Sequence, residues 1–552
     1  MASHQTPAPH PAESAQRRVL LAAALFLLIG CALQWWRMQS LTASMDQGIL
    51  MQVLWNGLRG HPFESTLSSQ LSTNVIHSGE LPALGYHRLG QHFTPILALW
   101  IPLVGLLGKW ALPMLQVVLI TAAGLVLHRL ALRELKPELA AMVTIAFYGA
   151  NAVIAPCMLS NFTDLSQLPL CVFLLLLGLE RQQRWLTAAA ALAIPLIRED
   201  TGVVLMGVGI WLGLRRQGRW PMAVTLILFG GGWVALSTNV LMPLFSADNA
   251  QRFMVENFGQ YLSDGNSEGG SSLAVLQRML TQPFLLLQQL VDPPGGTLRY
   301  LLGHSLPFLF LPLISLDAWL LAGPSLLGLF LAQGANNPLA ITIRYTLLVV
   351  PGFALGALFW WQRRPHLQLG PRLRLAWGAA ISLSLLLTLT SNPHRSLSFL
   401  VPASVQPWVH SSPAEQWSHG AAARRALAVI PPQASVAANT PLVPLLARRE
   451  LLVRFPVNTG YLDRKGQTQS VDWVAVDLEL LEHYGQAFAG DWRQLRKSKR
   501  WIEKHRQAYR VQSLEDGVVV LQKEGPIHAS LELALDQTLQ QPLPANPRRR
   551  RS

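Results

Sequence analysis

The 552-residue chain is short of charge: only 13% of its residues are Asp, Glu, Lys or Arg, against about 25% in an ordinary soluble protein. The shortage is confined to residues 19–390, a series of apolar runs broken by short polar stretches. From Ser391 onward the charge density is that of a soluble domain. A water-soluble globular protein is thereby excluded for most of the chain. Cysteine is scarce too. Cys31, Cys157 and Cys171 lie in or beside apolar runs, none at metal-ligand spacing, and the region after residue 390 has none. That region is therefore not stapled by disulfides, even if it lies outside the cell. Walker, G-x-G-x-x-G, H-E-x-x-H and nucleophile-elbow motifs are all missing, which leaves ATP-driven transport and Rossmann chemistry without support.

Basic residues outnumber acidic ones, for a net charge of +14. They sit in the loops between apolar runs and not on one stripe of a folded domain. This is the positive-inside bias of a membrane protein, and no nucleic-acid partner is expected. Arg17 and Arg18 followed by the apolar stretch 19–36 have the shape of a signal peptide, and Leu28 to Cys31 match a lipobox. The many spans downstream favour an uncleaved first span.

A span needs about 20 apolar residues. Residues 19–36, 139–156, 220–241, 342–361 and 375–390 qualify, while 165–179, 185–214 and 300–332 are shorter runs or joined pairs. The loops alternate between a basic set (Arg129, Arg133 and Lys136; Arg181 and Arg184; Arg215, Arg216 and Arg219; Arg363, Arg364, Arg372 and Arg374) and an acidic, polar or glycine-rich set (37–93, 160–164, 198–201, 243–299, 334–341). The expectation is about eleven spans, with the basic set and the N-terminus cytoplasmic. The stretch 94–130, interrupted by Gly105, Gly108 and Lys109, fits only if 94–107 is a half-span or re-entrant piece. The fold expected is mostly α: a polytopic α-helical membrane protein with a small C-terminal α/β soluble domain. Residues 1–18 form a cytoplasmic tail, 19–390 the transmembrane domain with outer loops 37–93 and 243–299, 391–530 an extracytoplasmic α/β domain, and 531–552 a disordered basic tail. In the α/β domain, 431–438, 451–455, 473–476 and 517–522 read as strands, and 440–448, 478–484 and 492–509 as helices.

On this topology the polar chemistry collects on the outer face. Asp46 is either a helix N-cap or a carboxylate at the membrane surface, available as a base or metal ligand. His92 is either a capping residue or a proton carrier and phosphate contact. Arg198, Glu199 and Asp200 sit between two short runs, and three ionisable groups there need a polar cavity, since each costs roughly 2.5–3.5 kcal/mol in lipid. Either Arg198 simply neutralises one acid, or the remaining carboxylate serves a substrate. Arg344 either snorkels to headgroups or holds a lipid-linked phosphate. Gln47 and Tyr345 go with these residues as substrate contacts. The stretch Asp264 to Gly270 has the composition of a calcium loop without EF-hand spacing, and reads as a flexible loop suited to a lid.

The segment D-Q-G-I-L-M-Q-V-L-W-N-G-L-R-G-H-P-F (46–63), then H-F-T-P-I (92–96), R-E-D (198–200) and I-P-P-Q-A-S-V-A-A-N-T-P-L-V-P-L-L-A-R-R (430–449), resembles the membrane protein family known as domain of unknown function 2079. The resemblance spans roughly residues 19–530. At Asn161-Phe162-Thr163-Asp164 the sequence departs from the acid or histidine the family often carries after Phe. The family in turn looks like the GT-C membrane glycosyltransferases, which transfer a sugar from a polyprenyl-phosphate carrier at the outer face. The resemblance implies Asp46 as the catalytic or metal-binding carboxylate, Glu199 and Asp200 as assisting acids, and a divalent cation as an open requirement. Arg344, with His92 and Arg198, would hold the phosphate, and the setting would be a bacterial inner membrane. A transporter or flippase for a lipid-linked or small polar substrate is the alternative; it predicts polar groups near the midplane.

Overall fold

Proline and glycine decide where the apolar runs break. A computed structural model of the protein describes residues 11–215, 218–246, 248, 257–261, 272–332, 339–391, 395–401 and 409–547. The calcium-like stretch 264–270 and the end of the basic tail, 548–552, lie outside the described residues. The chain divides into two compact units: Met1–Leu33, His92–Ile96 and Met114–Ser391 form the first, and Gln34–Gln91, Leu97–Pro113 and Asn392–Ser552 the second.

The first unit is helical. Across the described residues, four helices are long and apolar enough to cross a membrane: Ala12–Gln39, Pro95–Glu134, Trp220–Leu241 and Pro371–Ser391. The pair Pro137–Tyr148 and Asn151–Met158, bent by 45°, makes a fifth if it is one span. The expected eleven spans are not reached. Helices such as Arg184–Ile197, with 14 residues, and Leu316–Leu331, with 16, cover only ~21–24 Å at 1.5 Å per residue, less than the ~30 Å hydrocarbon layer. Pro195 and Pro324 interrupt the backbone hydrogen bonding inside these two. In the awkward stretch 94–130 the break falls at Gly108, whose φ of +55° is costly for any residue with a side chain, and a continuous helix starts at Ala111.

Close helix crossings hold this unit together. A Cβ on Gly202 would lie 2.4 Å from the Gly230 carbonyl oxygen, so the helices Gly202–Arg215 and Trp220–Leu236 touch backbone to backbone. At the basic end, buried Asp317 clamps three helices. It accepts from Trp211 Nε1 at 2.9 Å, from Arg215 Nε at 3.1 Å and from Arg363 Nε and Nη2 at 3.0 and 2.8 Å. Two arginines of the basic loop set are thus spoken for by an acid hidden inside an apolar run.

The second unit contains a five-stranded sheet in the order β2-β1-β5-β7-β6, with β1 Val436–Ala438, β2 Leu452–Arg454, β5 Trp473–Asp477, β6 Tyr509–Glu515 and β7 Val518–Lys523. β1 pairs in parallel with β2 and β5; β7 runs antiparallel to β5 and β6. A separate hairpin joins β3 Gly460–Leu462 to β4 Thr468–Ser470. The β6–β7 hairpin turns through Asp516-Gly517, the residue pair that two-residue hairpin turns favour. β6 occupies residues expected to lie beyond a helix running to Tyr509; that helix ends at His505. At the end of the chain, the helix Ala529–Gln540 runs into the stretch expected to be disordered from 531. Its Leu531, Leu535 and Leu539 recur every four residues and pack on the sheet core.

Most of the loop 37–93 packs in this same unit. The helix Met45–Gly57 lies against residues 443–446, and a Cβ on Gly48 would fall 2.3 Å from Val443 Cγ1. Buried Gln52 fastens the contact: its Nε2 donates to Thr66 Oγ1 and to the Arg449 and Glu450 carbonyls at 3.0–3.2 Å, and its Oε1 accepts from Ser65 Oγ and the Leu67 amide.

One contact in this unit sets a pH dependence. His419, on the helix Pro413–Leu427, has Nε2 2.8 Å from Asp477 Oδ2 and Nδ1 2.8 Å from Asp516 Oδ2. Burial opposes a charge on the ring, but the bonds and charges of Asp477 and Asp516 outweigh it and push the imidazole up from 6.5 to about 9. A folded value above the unfolded one stabilises the fold fully below pH 6.5, and this contribution is lost as pH rises through about 9. The effect is about 3 kcal/mol. We expect the melting temperature to fall between pH 6.5 and 9.5 and His419→Gln to flatten that fall. Equal slopes for the two proteins would remove the assignment.

Candidate functional site

The junction between Arg184–Ile197 and Gly202–Arg215 gathers the charges of the first unit. The helix stops at Arg198, which is extended (φ −163°, ψ 155°), and a single 3-10 turn, Glu199–Thr201, leads into the next helix. Thr201 Oγ1 ties the break by donating to the Ile194 and Arg198 carbonyls at 2.6 and 2.7 Å. The sequence forces this: Pro195 weakens the first helix, and three consecutive ionisable residues do not continue an apolar one.

Arg198 is 1% exposed. Its Nε donates to Asp200 Oδ1 at 2.7 Å, and Nη2 pairs with Asp200 Oδ2. Its Nη1 lies 3.9 Å from Asp164 Oδ1, and its guanidinium carbon stands 5.1 Å from the centroid of Tyr345. Arg344 stands over the same ring at 5.4 Å, so both guanidinium groups lie close to Tyr345. Asp164 reaches the site because Thr163 and Asp164 open a turn in which Oδ1 accepts from the Leu165 amide at 2.9 Å. The segment 161–164, where the sequence departs from the family pattern, therefore still brings an acid to Arg198.

Glu199 faces the other way. Its Oε1 lies 2.8 Å from His92 Nδ1, and its Oε2 accepts from the Phe93 amide at 2.9 Å. Each carboxylate oxygen of Glu199, expected as a catalytic acid, thus has a partner in the segment 92–93. The His92 side chain is 20% exposed against 4% for Glu199. His92 Nε2 makes no hydrogen bond among the described residues and is not buried, whereas Nε2 of His128 and of His304 is. Next in the chain, Thr94 Oγ1 is buried without a partner among the described residues, as is Nε1 of Trp233, whose ring lies 6.0 Å from Phe93. The arrangement is a carboxylate-oriented imidazole with one nitrogen open, beside two unsatisfied buried donors.

Six of the residues singled out in the sequence thus assemble in the first unit: His92, Arg198, Glu199, Asp200, Arg344 and Tyr345. Asp46 and Gln47 belong to the second unit. Asp46 is not an N-cap; Ser44 holds that position, and half-buried Asp46 is the second residue of the helix, where its charge suits the helix dipole. The Arg454 guanidinium lies within electrostatic reach of Asp46 and 3.6 Å from Met45 Sδ. Among the described residues no group of three or more His, Cys, Asp or Glu side chains could hold a metal ion. An arginine beside Asp46 supplies positive charge but no ligand, so the residues present do not fit a bound divalent cation.

Sequence reading missed a second cationic feature. Lys109, read only as an interruption of an apolar run, lies within reach of the Arg424 and Arg448 charges. Arg448 also stands 5.5 Å from the Trp55 ring, and Arg424 donates to the Gln39 carbonyl at 3.2 Å. No carboxylate pairs with these three among the described residues. A lysine in an apolar stretch was the signal; the arginines came from far along the chain.

The sequence pattern of the family described as predicted membrane protein (DUF2079) matches residues 37–520. No curated protein matches the chain.

Proposed function

The chain belongs to the DUF2079 family of predicted membrane proteins, and from that premise we propose that it is a GT-C-like integral membrane glycosyltransferase. It moves a sugar from a polyprenyl-phosphate-linked donor to an acceptor hydroxyl at the outer face of a bacterial inner membrane. This reading takes the N-terminus as cytoplasmic and the C-terminal domain as extracytoplasmic, which the bias of basic residues in the loops supports.

The observation that carries the reading is the His92–Glu199 pair with Nε2 left open. In transfer, the acceptor O–H bond breaks and its proton goes to His92 Nε2. The acceptor oxygen bonds to the anomeric carbon, and the bond from that carbon to phosphate oxygen breaks, releasing polyprenyl phosphate with the electron pair. Glu199 is a positioning residue: it fixes the Nδ1–H tautomer and steadies the imidazolium. Arg344 meets the phosphate, for which its planar donor fork is suited. Asp200 and Arg198 hold the junction in shape. Asp46 stays the acid that the family resemblance implies, and no step is assigned to it.

One observation favours transport instead: the short helices broken at a charged junction are the kind that carry ion sites in secondary transporters. The test is to reconstitute the protein with a polyprenyl-phosphate-linked sugar and a mixture of hydroxyl acceptors. Formation of free polyprenyl phosphate, reduced in Asp46→Asn, supports transfer. Movement of an intact donor across the bilayer without cleavage supports transport and ends the transferase reading.

A further inference from the structure

The basic end of the first unit carries a second site, independent of the chemistry proposed above. The helices Leu168–Arg181, Arg184–Ile197 and Trp220–Leu236 enclose a cavity of about 820 Å³. It exists because small residues line two of the three helices: Gly178 lets the first two approach, and Ala188 and Ala191 leave the space open.

The lining is graded. Gln182, Arg184 and Arg219 stand at the helix ends, and Leu192, Leu226 and Phe229 lie further along. The apolar part begins about one helical turn from the arginines, at Ala188 and Met222, and includes the hydroxyls of Thr187 and Thr225. No carboxylate lines the cavity. Arg219 Nη1 caps the Leu179 carbonyl at 3.1 Å, which fixes the guanidinium and leaves its other donors free to serve a ligand. Arg184 makes no hydrogen bond or ion pair among the described residues. In contrast, Arg215 and Arg363 of the same basic set are neutralised by Asp317, and Arg374 by Glu138. Trp185, 89% exposed, and Trp220, 57% exposed, follow Arg184 and Arg219 in the chain and are the residue type that settles at the headgroup level of a bilayer. Leu192 and Met222 are also exposed, so one wall opens sideways to lipid.

We propose that this cavity binds an anionic membrane phospholipid, with the headgroup phosphate on Arg184 and Arg219 and an acyl chain against Leu192, Leu226 and Phe229. A planar guanidinium donates two parallel bonds to a phosphate. The volume suits part of an amphiphile and not a compact polar solute, whose surface would meet an apolar wall.

The test uses the full chain purified in a neutral detergent, with phosphatidylglycerol and phosphatidylcholine as probes. Retained lipid is counted by native mass spectrometry. Wild type should keep phosphatidylglycerol in preference to phosphatidylcholine, and Arg184→Ala should weaken that preference about fivefold, the worth of one basic residue near an anionic lipid. Arg184 has no partner to lose, so its removal leaves folding intact; an unchanged melting temperature without lipid checks this. Ala188→Trp, which fills the cavity, should lower retention of both lipids. Equal retention of the two lipids by wild type, or an unchanged preference in Arg184→Ala, would overturn the proposal. So would one-for-one displacement of phosphatidylglycerol by polyprenyl phosphate, which would make the cavity a donor site. The lipid preference and its loss in Arg184→Ala do not bear on the His92 chemistry, which the transfer assay tests.

Discussion

Replacing His92 by glutamine should lower turnover of a polyprenyl-phosphate-linked sugar by about 100- to 10,000-fold, the usual worth of a positioned general base. Glutamine keeps a polar group within reach of Glu199 but cannot take a proton. The protein should still fold, because the Phe93 amide remains bonded to Glu199 Oε2 and the Arg198 pairings are untouched. Glu199→Gln should lower kcat with little change in KM, since Glu199 touches His92 and not the substrate. A purely structural role for Glu199 would instead change the melting temperature and leave the kinetics of the surviving protein intact. The readout is release of polyprenyl phosphate in proteoliposomes. Turnover within a few-fold of wild type in His92→Gln would remove the imidazole from the mechanism and leave only a buried ion pair.

How much of this was legible beforehand depends on whether the signal is local. The membrane character was, because apolar runs and loop charges are local features. So were the interruption at Gly108 and the grouping at Arg198, Glu199 and Asp200, each written in a few adjacent residues. The number of spans was not. Helices of 14 and 16 residues interrupted by Pro195 and Pro324 lie at the margin where the apolar run is long enough to notice and the helix too short to cross. Asp317 escaped attention as one acid in an apolar run, since its meaning depends on Arg215 and Arg363, distant in sequence. The same holds for Gln52, one polar residue of the 46–63 motif, which binds backbone carbonyls of residues 449 and 450. The pairing of His92 with Glu199 was hidden for a similar reason. Their types marked them as candidates, but only the fold says that both oxygens of the acid are taken and that the open atom is on the histidine.

Asp317→Leu should destabilise the protein by about 3–5 kcal/mol, the range seen when one partner of a buried charge pair is removed. Asp317 is 1% exposed and receives the Trp211 indole and two guanidinium groups. Leucine fills the space but leaves Arg215 and Arg363 facing each other, and strands the Trp211 N–H. The penalty therefore comes from the groups left behind more than from the lost attraction. That makes a specific prediction for the rescue. Adding Arg215→Met and Arg363→Met to Asp317→Leu removes both stranded cations, and most of the lost stability should return, because a well-packed apolar replacement of a buried ionic cluster is often neutral or better. Thermal unfolding of the three proteins in one detergent is the measurement. If Asp317→Leu alone melts with wild type, the clamp contributes nothing. If the triple variant melts as low as the single one, Asp317 acts through the shape it gives the helix start at Leu316 and not through charge.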